Sequence, residues 1–367
     1  MLPPVRHSCS NTHCRTLVRA TTMLVVLGTI LLLPSCAPRN PYSLANPGPF
    51  HVGYRRMGTV DSSRNGRQVD ITLWYPARKP SGSDSSQPAY LAVPDPRDAP
   101  YPLILSSTKV ANVLAPYVVT HGFAWASVDR IDFWMEYNDE KVLQPQDLLF
   151  ALDQVAAHPP DELAGMIDSD HAGTLGYSFD GYNSLAMSGA RIDPAFYLAQ
   201  CADPDRIDET LRGGVEYWGY CALADDWDAF AEAAGETAAS GPDDLWAPLT
   251  DPRIKAVMPM ACDGWLLFGE RGLAAADRPV LILIASEDEL YGEAAMIFEH
   301  LGSADRFLIT FRDLDHMMMY DSQQAERIAH FATAFFNCYL KGREKDRSLF
   351  SEAFVSRREE LHWGVLE

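Results

Sequence analysis

The chain has 367 residues, 47% of them hydrophobic and 22% charged, which is enough apolar mass for one large core and excludes disorder by composition. Fifty acids against 30 basic residues give a formal charge of −20. That field repels polyanions, so no nucleic-acid partner is expected and anionic substrates are mildly disfavoured.

The first 36 residues differ in kind from the rest. Arg6, Arg15 and Arg19 precede the apolar run Met23 to Leu33, which ends in Pro34-Ser35-Cys36. Basic residues before a short apolar run read as an export signal, and the run is short for a membrane span. Its end resembles a bacterial lipoprotein signal, in which Cys36 is lipidated after cleavage in front of it, although Pro34 stands where a small residue is usual. An ordinary signal peptide or an uncleaved anchor is the alternative. The expected location is the bacterial cell envelope, lipid-anchored to a membrane, with secretion as the other outcome. Loss of residues 1–35 removes three arginines and no acids, taking the charge to −23.

Residues 37–50 are polar and proline-bearing, the composition of a tether. His51 to Val60 and Gln68 to Tyr75 read as strands around a turn at Arg64-Asn65-Gly66-Arg67. Pro80 to Asp98 reads as a loop. Leu103 to Leu105 follows as a buried strand, Val110 to His121 as a helix, Phe123 to Val128 as a strand and Gln144 to Ala157 as an amphipathic helix. The strand Gly173 to Gly176 leads into the most informative stretch of the chain.

That stretch is Leu175-Gly176-Tyr177-Ser178-Phe179-Asp180-Gly181, a serine between a strand-like and a helix-like run. A tight strand-to-helix turn projects a hydroxyl clear of its neighbours and beside a base, as a serine nucleophile requires. Asp180 occupies the place of the last glycine in Gly-x-Ser-x-Gly, and Gly181 comes one residue later.

Residues 191–250 break the strand and helix rhythm. They carry Trp218, Trp227 and Trp246 and, from residue 201, twelve acids against two arginines. Two readings stand: a cap that roofs the serine, or a solvated decoration that packs its tryptophans on the body. Cys201 and Cys221 within it either close a loop in an oxidising compartment or stay buried as free thiols. The remaining cysteines and the scattered histidines show no zinc-site spacing.

After the strand Ile254 to Met260, the apolar run Pro279 to Ala285 has the pattern of a strand buried on both faces. Of the acids Glu287, Asp288 and Glu289 at its carboxyl end, Asp288 is placed to swing a short carboxylate toward a histidine. Arg306 to Phe311 is the next strand and puts His316 just past its end; Ser322 to Leu340 closes as a helix. Ser178, Asp288 and His316 therefore all follow strands, where functional groups of open α/β sheets collect, and their order is that of α/β-hydrolases. The domain expected is 51–342, with insertion 191–250 and a C-terminal extension 343–367.

Several segments resemble the α/β-hydrolases of the dienelactone-hydrolase-like and platelet-activating-factor-acetylhydrolase-like kind, in an exported bacterial form. They are Val52-Gly53 with Ile71 to Ala77, Tyr101 to Ser106, Thr120 to Phe123, Gly176 to Phe179, Phe268 to Leu273 with Pro279 to Asp288, and His316 with Asp321. The resemblance implies an α/β-hydrolase fold, a mostly parallel central sheet with helices on both faces. It implies Ser178 as nucleophile, Asp288 as acid and His316 as base, and no metal or organic cofactor. Ser107-Thr108-Lys109 stands where family members usually have His-Gly. The oxyanion donors expected are the backbone N–H of Phe179 with that of Thr108 or Lys109. Losing one such donor costs roughly 2.7–4 kcal/mol.

The expected activity is serine hydrolysis of small to medium carboxylic esters by a membrane-tethered enzyme, with lactone or peptide cleavage as variants of the same chemistry. Trp265 and Phe268 either line the acyl side or pack in the core. The alternative from another class is a catalytically impaired lipoprotein that keeps the scaffold as a binding or structural module.

Overall fold

Long apolar strands alternating with helices along most of the chain build one mixed, mostly parallel sheet. The structure is a computed structural model and describes residues 40–79, 86–131, 137–239 and 241–366. The signal segment and Cys36 lie outside the described residues. Residues from Pro41 onward form one compact unit.

In chain order the elements are β1 (His51–Asp61), β2 (Arg67–Ala77), β3 (Ala89–Tyr90), β4 (Tyr101–Ser107), α1 (Thr108–Val118), β5 (Ala124–Val128), α2 (Glu140–Ala157), β6 (Ile167–Tyr177) and α3 (Phe179–Ala186). The inserted region follows as α4 (Pro194–Cys201), α5 (Arg212–Trp218), α6 (Trp227–Ala234) and α7 (Glu236–Ala239), linked by short 3-10 turns. The chain resumes with β7 (Ile254–Met260), α8 (Trp265–Ala274), β8 (Val280–Ala285), α9 (Tyr291–His300), β9 (Arg306–Phe311), α10 (Ser322–Lys341), α11 (Glu352–Val355) and β10 (Leu361–Trp363).

The sheet order is β10-β9-β8-β7-β6-β4-β5-β2-β1-β3. Neighbours from β5 through β4, β6, β7 and β8 to β9 pair in parallel, while β2 pairs antiparallel with β1 and β5, and β10 antiparallel with β9. Every residue of β4, β5 and β8 is buried, which a strand achieves only when both sheet faces are covered. One cover is α1 packed on α10; another places α2 against α3, and a third α8 against α9. The chain leaves β4 toward β5 on one side and returns to β6 on the other. The crevice between the carboxyl ends of β4 and β6 is therefore a topological switch point, the usual ligand position of an open α/β sheet.

Three boundaries differ from the sequence reading. Residues 41–50, read as part of the tether, dock on the body: Tyr42, Ala45 and Phe50 are buried, and the Leu44 N–H donates to His330 Nδ1 at 3.2 Å. The segment's two aromatic rings find apolar cover, Tyr42 against His330 and Phe331 of α10 and Phe50 against Tyr101 of β4. The 343–367 extension completes the sheet edge through β10 and buries Phe350, Phe354 and Val355. The helix expected from Val110 starts at Thr108, because the Ser107 side chain caps it by accepting from Val110 N–H at 3.4 Å.

Candidate active site

The end of β6 turns sharply into α3, and Ser178 sits in the turn with φ 63° and ψ −127°. A non-glycine residue in that region carries strain, and it persists only where its surroundings hold it. The Ser178 N–H is held by Met260 O of β7 at 2.9 Å. Two glycines make the turn possible by close approach. A Cβ on Gly176 would lie 1.9 Å from the backbone oxygen of Asp180, and one on Gly181 would lie 2.7 Å from Met260 O and 2.9 Å from Cys262 Cβ. The displaced glycine thus lets α3 pack against β7 from one position later than the usual motif.

Asp288 follows β8 and His316 follows β9, and both converge on the serine. His316 Nε2 lies 3.1 Å from Ser178 Oγ, and His316 Nδ1 lies 3.0 and 2.9 Å from Asp288 Oδ1 and Oδ2. The Asp288 side chain is fully buried and also accepts the Leu290 N–H at 2.9 Å. The Tyr177 hydroxyl donates to the His316 carbonyl, pinning the histidine loop to the strand that carries the serine. Burial presses the imidazole toward its neutral form, but the hydrogen bond and charge of Asp288, aided by Glu289, outweigh it and raise His316 above its ordinary 6.5. Ser178, His316 and Asp288 thus form one hydrogen-bonded chain, the geometry that a serine nucleophile, a base and an orienting acid require.

The loop after β4 faces this chain across the switch point. Asp180, the departure from the serine motif, is buried and accepts the Ser107 N–H at 2.9 Å. Burial raises its pKa, while Ser107, Lys109 and Asn183 counter the effect. Lys109 Nζ donates to Tyr177 O at 3.1 Å, and burial lowers its pKa to about 8 against the pull of Asp180. Thr108 Oγ1 bonds Asp129 and lies 3.2 Å from Ser127 Oγ. Asp180 is thus a brace between the elbow and the loop, not a charge in search of water.

A cavity of about 60 Å³ opens beside the serine, lined by Ser178, Phe179, Trp218, Tyr220, Asp263, Glu289, Leu290 and His316. The insertion supplies Trp218 and Tyr220, so it covers the serine rather than merely decorating the body. Cys201 and Cys221 pair as a disulfide beside Tyr220, and the Tyr197 hydroxyl donates to Tyr220 O at 2.8 Å. Trp265 and Phe268 do not line this cavity. Phe268 stacks on Tyr182 at 5.3 Å, and Trp265 meets Phe196 and His300 edge-on or tilted, so core packing accounts for both. Thr108 and Lys109 also lie outside the lining, whereas Phe179 is within it. Larger clefts, about 840 Å³ beside Arg67, Asp129 and Asp147 and about 970 Å³ beside Arg64 and Phe150, include none of Ser178, Asp288 and His316.

Asp263, Lys141 and Glu293 were not singled out by sequence. Asp263 follows β7, so it shared the strand-end position that identified the others. Among the described residues, Asp288, Glu289 and His316 have ligand atoms within 4.8 Å of one another, but His316 Nδ1 and Asp288 are already joined by hydrogen bonds. No protein-family model matches the chain, and no curated protein matches it.

Proposed function

We propose that the protein is a serine hydrolase of α/β-hydrolase fold that cleaves carboxylic esters through an acyl-enzyme. The observation that carries this reading is the continuous chain from Ser178 Oγ through His316 to Asp288, with distances of 2.9 to 3.1 Å. His316 takes the Ser178 proton as Oγ attacks the acyl carbon, and Asp288 holds the imidazole in the required tautomer and steadies its positive charge. His316 then returns the proton to the leaving alcohol, and the same pair activates water to release the acid.

The developing oxyanion needs backbone donors. The Phe179 N–H opens α3 beside the serine and has no partner within the helix's own ladder. On the facing loop, Asp180 takes the Ser107 N–H and the Ser107 hydroxyl takes that of Val110. Thr108 and Lys109 open the first turn of α1 at the carboxyl end of β4, and the N–H of one of them is the proposed second donor. Export and lipid anchoring at Cys36 belong to this proposal as the setting of the enzyme. Among the described residues, no helix is long and apolar enough to cross a membrane.

A fluorophosphonate probe and a panel of p-nitrophenyl esters test the reading. Wild-type protein should label and turn over ester, and Ser178→Ala should lose both. Unlabelled, inactive wild-type protein would favour the binding-module alternative, which the altered loop after β4 motivates.

A further inference from the structure

The cavity beside Ser178 also borders a second set of charged groups that ester cleavage as described leaves unused. Asp263 is 1% exposed and lines the cavity. Its Oδ2 is 2.5 Å from Lys141 Nζ, which sits 3.8 Å from the Phe179 ring centre and 4.3 Å from those of Tyr137 and Tyr182. Three aromatic faces and one carboxylate oxygen therefore satisfy the lysine. Among the described residues, Asp263 Oδ1, in contrast, is buried without a hydrogen-bond partner, an arrangement that costs free energy unless a ligand supplies a donor.

The rest of the cavity wall specifies the donor. Among the described residues, Glu289 lines it and no lysine or arginine does. Trp218 and Tyr220 line it as well, and an adjoining space of about 310 Å³ shares Trp218, Tyr220, Glu289 and Leu290 while adding Glu293. Glu293 is held by the N–H groups of Gly264 and Trp265 at 2.8 and 2.9 Å and by the Tyr220 hydroxyl at 3.1 Å. Carboxylates beside aromatic faces, with the local cation already boxed in, suit a protonated amine. A neutral alkyl group would leave Oδ1 unpaired, and an anion would meet two acids.

We propose that the cavity selects esters bearing a primary ammonium group a few atoms from the ester carbon, hydrogen-bonded by Asp263 Oδ1 and flanked by Trp218 and Tyr220. This substrate class rests on the serine-hydrolase reading above, while the amine site itself does not require turnover.

The test uses the full chain. Turnover of short esters ending in an ammonium group, on the acyl or the alcohol side, is compared with that of methyl-terminated esters of equal length. A preference of about tenfold or more in kcat/KM is expected for one ammonium series. Asp263→Asn should bring that preference close to unity, and Glu289→Gln should reduce it severalfold. Trp218→Leu provides a third variant should Asp263→Asn fail to unfold cooperatively, and retention of the full preference in Trp218→Leu and Glu289→Gln would overturn the proposal. Calorimetric titration with n-butylammonium, n-butanol and tetramethylammonium addresses binding alone. Saturable binding of n-butylammonium in preference to both others supports the site even in an inactive protein. Equal binding of n-butanol, or of tetramethylammonium with no N–H to donate, rejects it. Labelling of Ser178 with a preference for methyl-terminated esters would retain the hydrolase and sink only the amine site.

Discussion

The two walls of the cavity beside Ser178 hold buried charge in opposite ways. On the triad wall, both oxygens of Asp288 lie within hydrogen-bonding distance of one imidazole nitrogen, and the imidazole reaches the serine through its other nitrogen. On the other wall, Asp263 gives one oxygen to Lys141 and leaves the other without a partner among the described residues. A fully paired acid orients a neighbour; a half-paired acid retains affinity for something that arrives. The contrast separates a group suited to chemistry from one suited to recognition, although both are carboxylates at the carboxyl ends of adjacent strands.

The largest expected effect breaks the triad wall. Asp288→Asn should lower kcat by about 10⁴-fold, since the amide favours the wrong imidazole tautomer. The same change should move the acid limb of kcat/KM downward. In the wild type that limb should lie above pH 6.5, because His316 acts only when neutral and Asp288 holds its proton more tightly. A pH profile of both proteins checks the sign.

Breaking the other wall should cost stability first. Lys141→Met leaves Asp263 buried without its cation, a change of about 3–5 kcal/mol. Replacing both partners, Lys141→Met with Asp263→Leu, should recover much of that loss in denaturant unfolding while abolishing any amine preference. Recovery would mark the pair as retained for recognition rather than for stability.

The Asp180 brace beside the serine gives a smaller effect. Asp180→Ala removes the acceptor of the Ser107 N–H and should cost about 1–3 kcal/mol, with lower turnover as the loop after β4 loosens. Asp180→Gly, which restores the usual serine motif, should likewise slow the enzyme. Asp180→Asn should keep the acceptor and hold stability at neutral pH. Burial raises the Asp180 pKa above 3.8, so the folded state favours its neutral form, and its contribution is greatest below pH 3.8 and declines as pH rises through the folded pKa. The smallest shift is expected from Glu289→Gln. Its charge helps to raise His316, so the acid limb should move down, by less than in Asp288→Asn.

Much of the triad wall was legible from residue order. Ser178, Asp288 and His316 each end an apolar run that had to be a buried strand, and a parallel sheet gathers successive carboxyl ends at one edge. The insertion was visible as a break in rhythm with three tryptophans, but Trp218 and Tyr220 gave no local sign of which would face the serine. Trp265 and Phe268 looked equally suited to an acyl site; their ring partners Phe196, His300 and Tyr182 decide otherwise. The meeting of Lys141 with Asp263 joins residues 122 apart, beyond the reach of any periodicity.

By itself, the chain determined the alternation of strand and helix, the sharp turn at Ser178 and the order of Ser178, Asp288 and His316 at strand ends, because these follow from apolar runs, glycines and strand ends close in sequence. Tertiary structure alone decided that Asp180 braces a loop, that Asp263 keeps one oxygen unpaired, and that residues 41–50 and 343–367 complete the body. Those outcomes depend on which buried polar groups and aromatic rings meet across long separations, where satisfaction of hydrogen bonds and packing, not local propensity, selects the partner.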